Sequence, residues 1–145
     1  MLTESEVIGA TCRFLKSKRF RITRALSETE QGLDIEGLAP DGETKFSIEA
    51  KGETSSKSTT ARFGKPFDSK QVFDHVSKAF YCAARDTSKD LMSGIAFPRN
   101  QAHVKCVEKI LPALRKLKIE VFWALADGSV ETENVWQCWN GGKKL

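Results

Sequence analysis

The chain has 145 residues, of which 40% are apolar and 29% charged, and its net charge is +4. That length suits one domain with its own core, and the composition excludes wholesale disorder. The modest positive charge is compatible with a nucleic-acid partner but does not identify one. The four cysteines, Cys12, Cys82, Cys106 and Cys138, show no C-x-x-C spacing, and only His75 and His103 could complement them. They read as reduced core thiols rather than zinc ligands. No apolar signal segment opens the chain and no run approaches a membrane span, so the expectation is a cytoplasmic protein with no membrane partner.

Thr3 followed by Glu6 is a capping-box pattern and predicts a first helix, with Val7, Ile8, Cys12, Phe14 and Leu15 at helical spacing. Residues 20–26 alternate as a basic strand, and 27–32 form a polar connection. Leu33 to Leu38 predicts a second strand and Thr44 to Lys51 a third, with Phe46 and Ile48 facing one way. Between them, Pro40-Asp41-Gly42 is a turn, because Pro presets φ and Gly accepts a positive φ. Together these strands predict a meander or hairpin. Glu53 to Pro66 is rich in Ser and Thr and carries Lys57, Arg62 and Lys65. It reads either as a solvated loop or as a loop that contacts phosphates.

Asp68 or Ser69 caps a second helix whose apolar stripe runs through Val72, Val76, Ala79 and Ala83. Leu91 to Phe97 is an apolar run that suits a buried central strand ended by Pro98. Asn100 is placed to cap a third helix, which Pro112 kinks or restarts. Lys118 to Leu125 alternates strongly, with Ile119, Val121, Trp123 and Leu125 on one side. Asp127-Gly128 predicts a hairpin turn, with Val130 to Thr132 pairing back. The tail with Trp136 and Trp139 is either an edge strand or a flap held by its tryptophans. Neither a repeat nor a domain boundary is visible, so residues 1–145 are expected to form a single domain of the α/β class.

The chemistry concentrates between Gly32 and Gly52, in GLDIEGLAPDGETKFSIEAKG. Asp34 lies on one strand, and the triplet Glu49-Ala50-Lys51 closes the next. Phosphodiester hydrolysis needs an activated water, a Lewis acid on the phosphate and help for the leaving oxygen. Mg²⁺ meets the first two needs and prefers hard oxygen ligands, which Asp34 and Glu49 supply. Lys51 lies two residues beyond Glu49, so the two side chains emerge on one face of the strand. An ammonium there can orient the water or offset the charge that builds on phosphorus. The competing reading is a surface hairpin with a modest Glu–Lys ion pair.

These residues, the 14 positions between Asp34 and Glu49, and the order α-β-β-β-α-β resemble the PD-(D/E)XK nuclease superfamily. Gln71, within SKQV on the following helix, is similar to a glutamine that projects into the site of archaeal Holliday-junction resolvases and related nucleases. The likeness spans roughly Thr3 to Phe97. Leu33 stands where the family usually has proline. The resemblance implies a restriction-endonuclease-like core, a central mixed sheet flanked by helices, with a C-terminal helix and strand added. It implies an Mg²⁺-dependent endodeoxyribonuclease, with Mn²⁺ able to substitute, acting on duplex or branched DNA to leave a 5′-phosphate. Asp34, Glu49 and the Ala50 carbonyl would bind metal, Lys51 and Gln71 would act on water or substrate, and a homodimer would cut both strands. The alternative is a non-catalytic DNA-binding module that keeps the fold.

Other residues carry two readings each. Gln71 is either a site residue or an ordinary exposed residue of a first helical turn. Lys57, Arg62, Lys65 and Lys70 flank the motif and are the expected DNA-phosphate contacts; the bland reading is a solvated charged face. A first-helix glutamate reaching the metal would fall at Ile8, which leaves Glu4 or Glu6 as substitutes, with helix capping as their competing role. His75, one turn after Gln71, reads as a rim residue or as packing. Glu53 is a candidate extra carboxylate.

Overall fold

A computed structural model of the chain describes residues 1–25, 34–54 and 67–140. The helices are α1 (Glu4–Ser17), α2 (Ser69–Thr87), α3 (Gln101–Glu108) and α4 (Leu111–Lys116). The strands are β1 (Arg21–Ala25), β2 (Ile35–Leu38), β3 (Lys45–Ala50), β4 (Met92–Pro98), β5 (Glu120–Ala124) and β6 (Val130–Thr132), followed by a 3₁₀ turn at Gln137–Asn140. The six strands form one mixed sheet in sequence order. The meander β1-β2-β3 is antiparallel, β3-β4-β5 are parallel, and β6 returns antiparallel on β5. The protein is therefore α/β, with the sheet packed between helices. No helix among the described residues is long and apolar enough to cross a membrane.

Local chemistry explains most boundaries. Thr3 and Glu6 make both bonds of the capping box that starts α1, with Thr3 N donating to Glu6 Oε1 at 2.9 Å and Glu6 N to Thr3 Oγ1 at 3.2 Å. The β2–β3 turn uses Gly42 at φ 76°, and Asp41 Oδ1 accepts from the amides of Glu43 and Thr44. Pro112 restarts the helix: α3 ends at Glu108, and α4 begins at Leu111 with the proline in its first turn. The last predicted strand is shorter than the sequence alternation suggests. It begins at Glu120, because Lys118 takes φ 60° and Ile119 N is tied to the Leu114 carbonyl.

Strand alternation divides the interior into two cores. Phe46, Ile48, Ala50, Ala96, Phe122 and Ala124 pack with Val7, Ile8, Ala10 and Leu15 of α1. The opposite face, Ile95, Phe97, Val121 and Trp123, packs with Val72, Val76, Ala79 and Ala83 of α2 and with Val107 and Leu114. Every residue of β5 is buried, so the one-sided apolar stripe expected there covers only half of what α1 and α2 enclose. The tail takes the flap form. Trp136 and Trp139 stack on Phe20 with ring centroids 5.9 and 5.3 Å away, closing the α1 core.

Glu120 holds that flap. It is fully buried, and its carboxylate accepts from the amides of Val121 (3.0 Å), Glu133 (3.1 Å) and Trp136 (2.9 Å) and from the Trp139 indole (2.5 Å). Burial raises its pKa, and the bonds from Trp136, Val121 and Trp139 oppose the rise.

Candidate active site

The register between β2 and β3 pairs Ile35 with Ile48 and Glu36 with Ser47. One further step sets Asp34 opposite Glu49, with both side chains on the α2 face of the sheet. Lys51 N donates to the Ala96 carbonyl at 3.0 Å, so its amide faces β4. The neighbouring Ala50 amide must face the other way, and it donates to Asp34 Oδ2 at 2.7 Å. The Ala50 carbonyl leaves the strand on the side of its own N–H, which is the Asp34 side. Two carboxylates and one carbonyl thus meet at the end of β3.

Asp34 is buried, and the Glu49 side chain is only 14% exposed. Lys51 Nζ stands 3.7 Å from Glu49 Oε1. Burial pushes the Glu49 pKa up to about 8; the Asp34 charge and a hydrogen bond with Asp34 push the same way, Lys51 opposes them, and Glu4 adds a smaller upward push. Burial and the neighbouring Asp34 charge thus favour the protonated form of Glu49 well above the usual carboxylate range. Two carboxylates placed this close in a dry setting are an arrangement that a hard cation relieves.

That arrangement also bears on whether Mg²⁺ would fit. Among the described residues, no cluster of three His, Cys, Asp or Glu side chains is placed to hold a metal. Two carboxylates plus a backbone carbonyl are the donor set on offer. This suits an ion that keeps several of its waters and does not suit zinc.

Helix α2 runs antiparallel over β3. Ser47 Oγ donates to Asp86 Oδ2 at 2.9 Å and pins one end. Cys82 feels the Glu49 charge and His75 that of Lys51. The helical rise from 86 to 75 is ~16 Å and the strand length from 47 to 51 is ~13 Å, so the two rows match. Gln71 lies one turn beyond His75, at the helix start. Its Oε1 accepts from Asp68 N at 3.0 Å, and its own amide donates to Asp68 Oδ1 at 2.9 Å, completing a capping box. Any role of Gln71 toward a substrate therefore falls to its NH₂ group. Lys70 is exposed beside it. Lys57, Arg62 and Lys65 lie outside the described residues.

The first-helix glutamates separate into two roles. Glu6 is used in the cap of α1, whereas Glu4 lies near enough to Glu49 to raise its pKa. Ile8 is buried in the core. Glu53 Oε2 accepts from Asn100 Nδ2 at 3.1 Å. Gln71, His75 and Cys82 share one row of α2 at i, i+4 and i+11 spacing.

The strand end is locked to the start of α1. Glu53 N donates to the Leu2 carbonyl at 2.9 Å, and a Cβ on Gly52 would sit 2.4 Å from Glu4 N. Gly52→Ala must therefore push the two backbones apart. It should cost ~2–3 kcal/mol in thermal denaturation. A melting temperature equal to that of wild type would contradict this packing.

Comparison of the chain with known protein families, with curated proteins and with solved structures finds no match.

Proposed function

We propose that this chain is a metal-dependent endonuclease with a restriction-endonuclease-like fold, hydrolysing phosphodiester bonds in DNA. The observation that carries the reading is the Asp34–Glu49 pair, two acids facing each other at neighbouring strand ends, with Lys51 Nζ 3.7 Å from Glu49. The order α1-β1-β2-β3-α2-β4 supports it, because it brings the first acid and the E-x-K triplet to adjacent strand ends.

Asp34, Glu49 and the Ala50 carbonyl would hold Mg²⁺ or Mn²⁺. When bound, the ion supplies Lewis acidity toward the phosphate and a more acidic water. The Lys51 ammonium orients that water and stabilises charge on the pentacovalent phosphorus. The Gln71 NH₂ can donate to a phosphate oxygen, and Lys70, with Lys57, Arg62 and Lys65, would neutralise neighbouring phosphates. Such contacts recognise backbone and shape rather than base edges. Two copies would be needed to cut both strands of a duplex, so a homodimer on DNA is part of the proposal.

The test incubates the protein with supercoiled plasmid, linear duplex, single strands and a four-way junction, in Mg²⁺, Mn²⁺ or EDTA. The expected result is metal-dependent cutting that Asp34→Asn and Lys51→Ala each reduce at least ~10²-fold. Binding without cutting in any metal would favour a non-catalytic DNA-binding module. Neither binding nor cutting would remove both readings.

A further inference from the structure

Two imidazoles each carry a buried ring nitrogen without a hydrogen-bond partner among the described residues, Nδ1 of His75 and Nε2 of His103, and His75 is close enough to Lys51 to feel its charge. Leaving a buried polar nitrogen unpaired is unfavourable, and such atoms are commonly satisfied by an internal water. The two rings are close enough for the charge of one to affect the other. His75 projects from α2, edge-on to Phe67 at 4.8 Å between centroids. His103 is fully buried on α3, against Phe97 at 5.4 Å.

Their partners fix the proton positions. Asn100 Nδ2 donates to Glu53 Oε2 at 3.1 Å, which orients the amide and leaves Oδ1 as acceptor. Asn100 Oδ1 accepts from His103 N at 2.9 Å and lies 2.9 Å from His103 Nδ1, so that ring nitrogen must be the one carrying hydrogen. Burial lowers the His103 pKa to about 4, so the ring is neutral and Nε2 is a bare acceptor. A water that donates to His103 Nε2 can then accept from Nδ1–H of His75. The remaining nitrogen of His75, Nε2, becomes the unprotonated one.

We propose that Glu53, Asn100 and His103 form a polar relay, closed by one internal water, that presets the tautomer of His75 and makes its Nε2 a proton acceptor at the nuclease site. The proposal rests on the nuclease reading for the role of His75 and on the hydrogen-bond geometry for the relay. In the reaction, the attacking water forms its oxygen–phosphorus bond and passes a proton to His75 Nε2. The P–O3′ bond breaks with its electron pair on O3′, which takes a proton from solvent, and His75 later returns its proton to solvent.

The groups facing His75 support a neutral ring. Burial lowers its pKa first, then Lys51 just past β3 and Lys78 on its own helix; Asp74 opposes them, and His103 faces it from α3. An imidazole that stays neutral at pH 7 is available as a base.

The decisive measurement is the ¹⁵N NMR signature of the two imidazoles in the full-length protein, which distinguishes Nδ1–H from Nε2–H. The expected spectrum shows both rings as Nδ1–H at pH 7.5, and the His75 preference relaxing toward a mixture in His103→Phe. Cleavage by His75→Ala should fall ~10²-fold and recover in part with added imidazole, which a purely structural role would not allow. A wild-type His75 carrying its proton on Nε2 overturns the relay. Cleavage by His75→Ala at the wild-type rate overturns the role as proton acceptor. A wild-type protein that cuts no DNA rejects the nuclease reading and the acceptor role with it, whereas the NMR spectrum still decides the relay.

Discussion

Glu49→Gln should make the metal-free protein more stable at high pH and, on the nuclease proposal, abolish metal-dependent cleavage. The Glu49 pKa rises from 4.5 to about 8 on folding, because the carboxyl is buried beside Asp34. A carboxyl whose folded pKa is raised stabilises fully below its unfolded value, and that stability is lost as pH climbs through the folded value. In EDTA, wild-type stability should therefore decline between pH 4.5 and 8. Glutamine mimics the protonated acid and cannot ionise, so the variant should escape the decline. At pH 9 its advantage should be on the order of 2 kcal/mol after allowance for solvent screening, or ~5 °C in melting temperature. At pH 4 the two proteins should melt together.

The same proton predicts how cation binding varies with pH. A cation must displace it below pH 8, so the stabilisation by Mg²⁺ should strengthen as pH rises toward 8 and then level off. Melting curves with and without Mg²⁺, for both proteins over pH 5–9, check all of this. A variant less stable than wild type at pH 9 would mean that the two carboxylates do not repel.

Glu120→Ala should be strongly destabilising, and it touches no proposed catalytic group. It strands the amides of Val121 and Trp136 and the indole of Trp139, while the Glu133 amide keeps the Val121 carbonyl at 3.2 Å. An unsatisfied buried donor costs ~1–3 kcal/mol, so a total near 4 kcal/mol or more is expected, or a fall of ~10 °C or more in melting temperature. The loss should register first as a red shift of tryptophan fluorescence, as Trp136 and Trp139 leave Phe20 and Phe122. Glu120→Gln keeps one acceptor oxygen and should cost clearly less. If Glu120→Ala left fluorescence and melting unchanged, the flap would not depend on this carboxylate.

Both effects depend on facts that sequence spacing cannot supply. The motif residues Asp34, Glu49 and Lys51 were legible because a strand places i and i+2 on one face, and because a Pro-Asp-Gly turn implies antiparallel pairing of the flanking runs. The capping box at Thr3 and the restart at Pro112 were legible because their bonds lie within a few residues. Glu120 was not, since nothing in KIEVFWA shows that a helix covers the second face of β5 and that the tail folds back to fill this carboxylate. Gln71 was legible as a residue near the motif, but its use in the cap of α2 competes with the role assigned to it.

The sequence alone determined the element order, the turn between β2 and β3, and the presence of two acids and a lysine at neighbouring strand ends. These follow from periodicity and backbone preference, which act over a few residues. Tertiary structure alone decided that Asp34 stands opposite Glu49 closely enough to raise its pKa, that Glu4 rather than Glu6 adds its charge there, and that His75 feels the Lys51 charge. Those outcomes depend on register between strands and on the seating of α2 by Ser47 and Asp86, contacts between residues 39 positions apart. Burial then turns an ordinary glutamate into one that holds its proton to about pH 8.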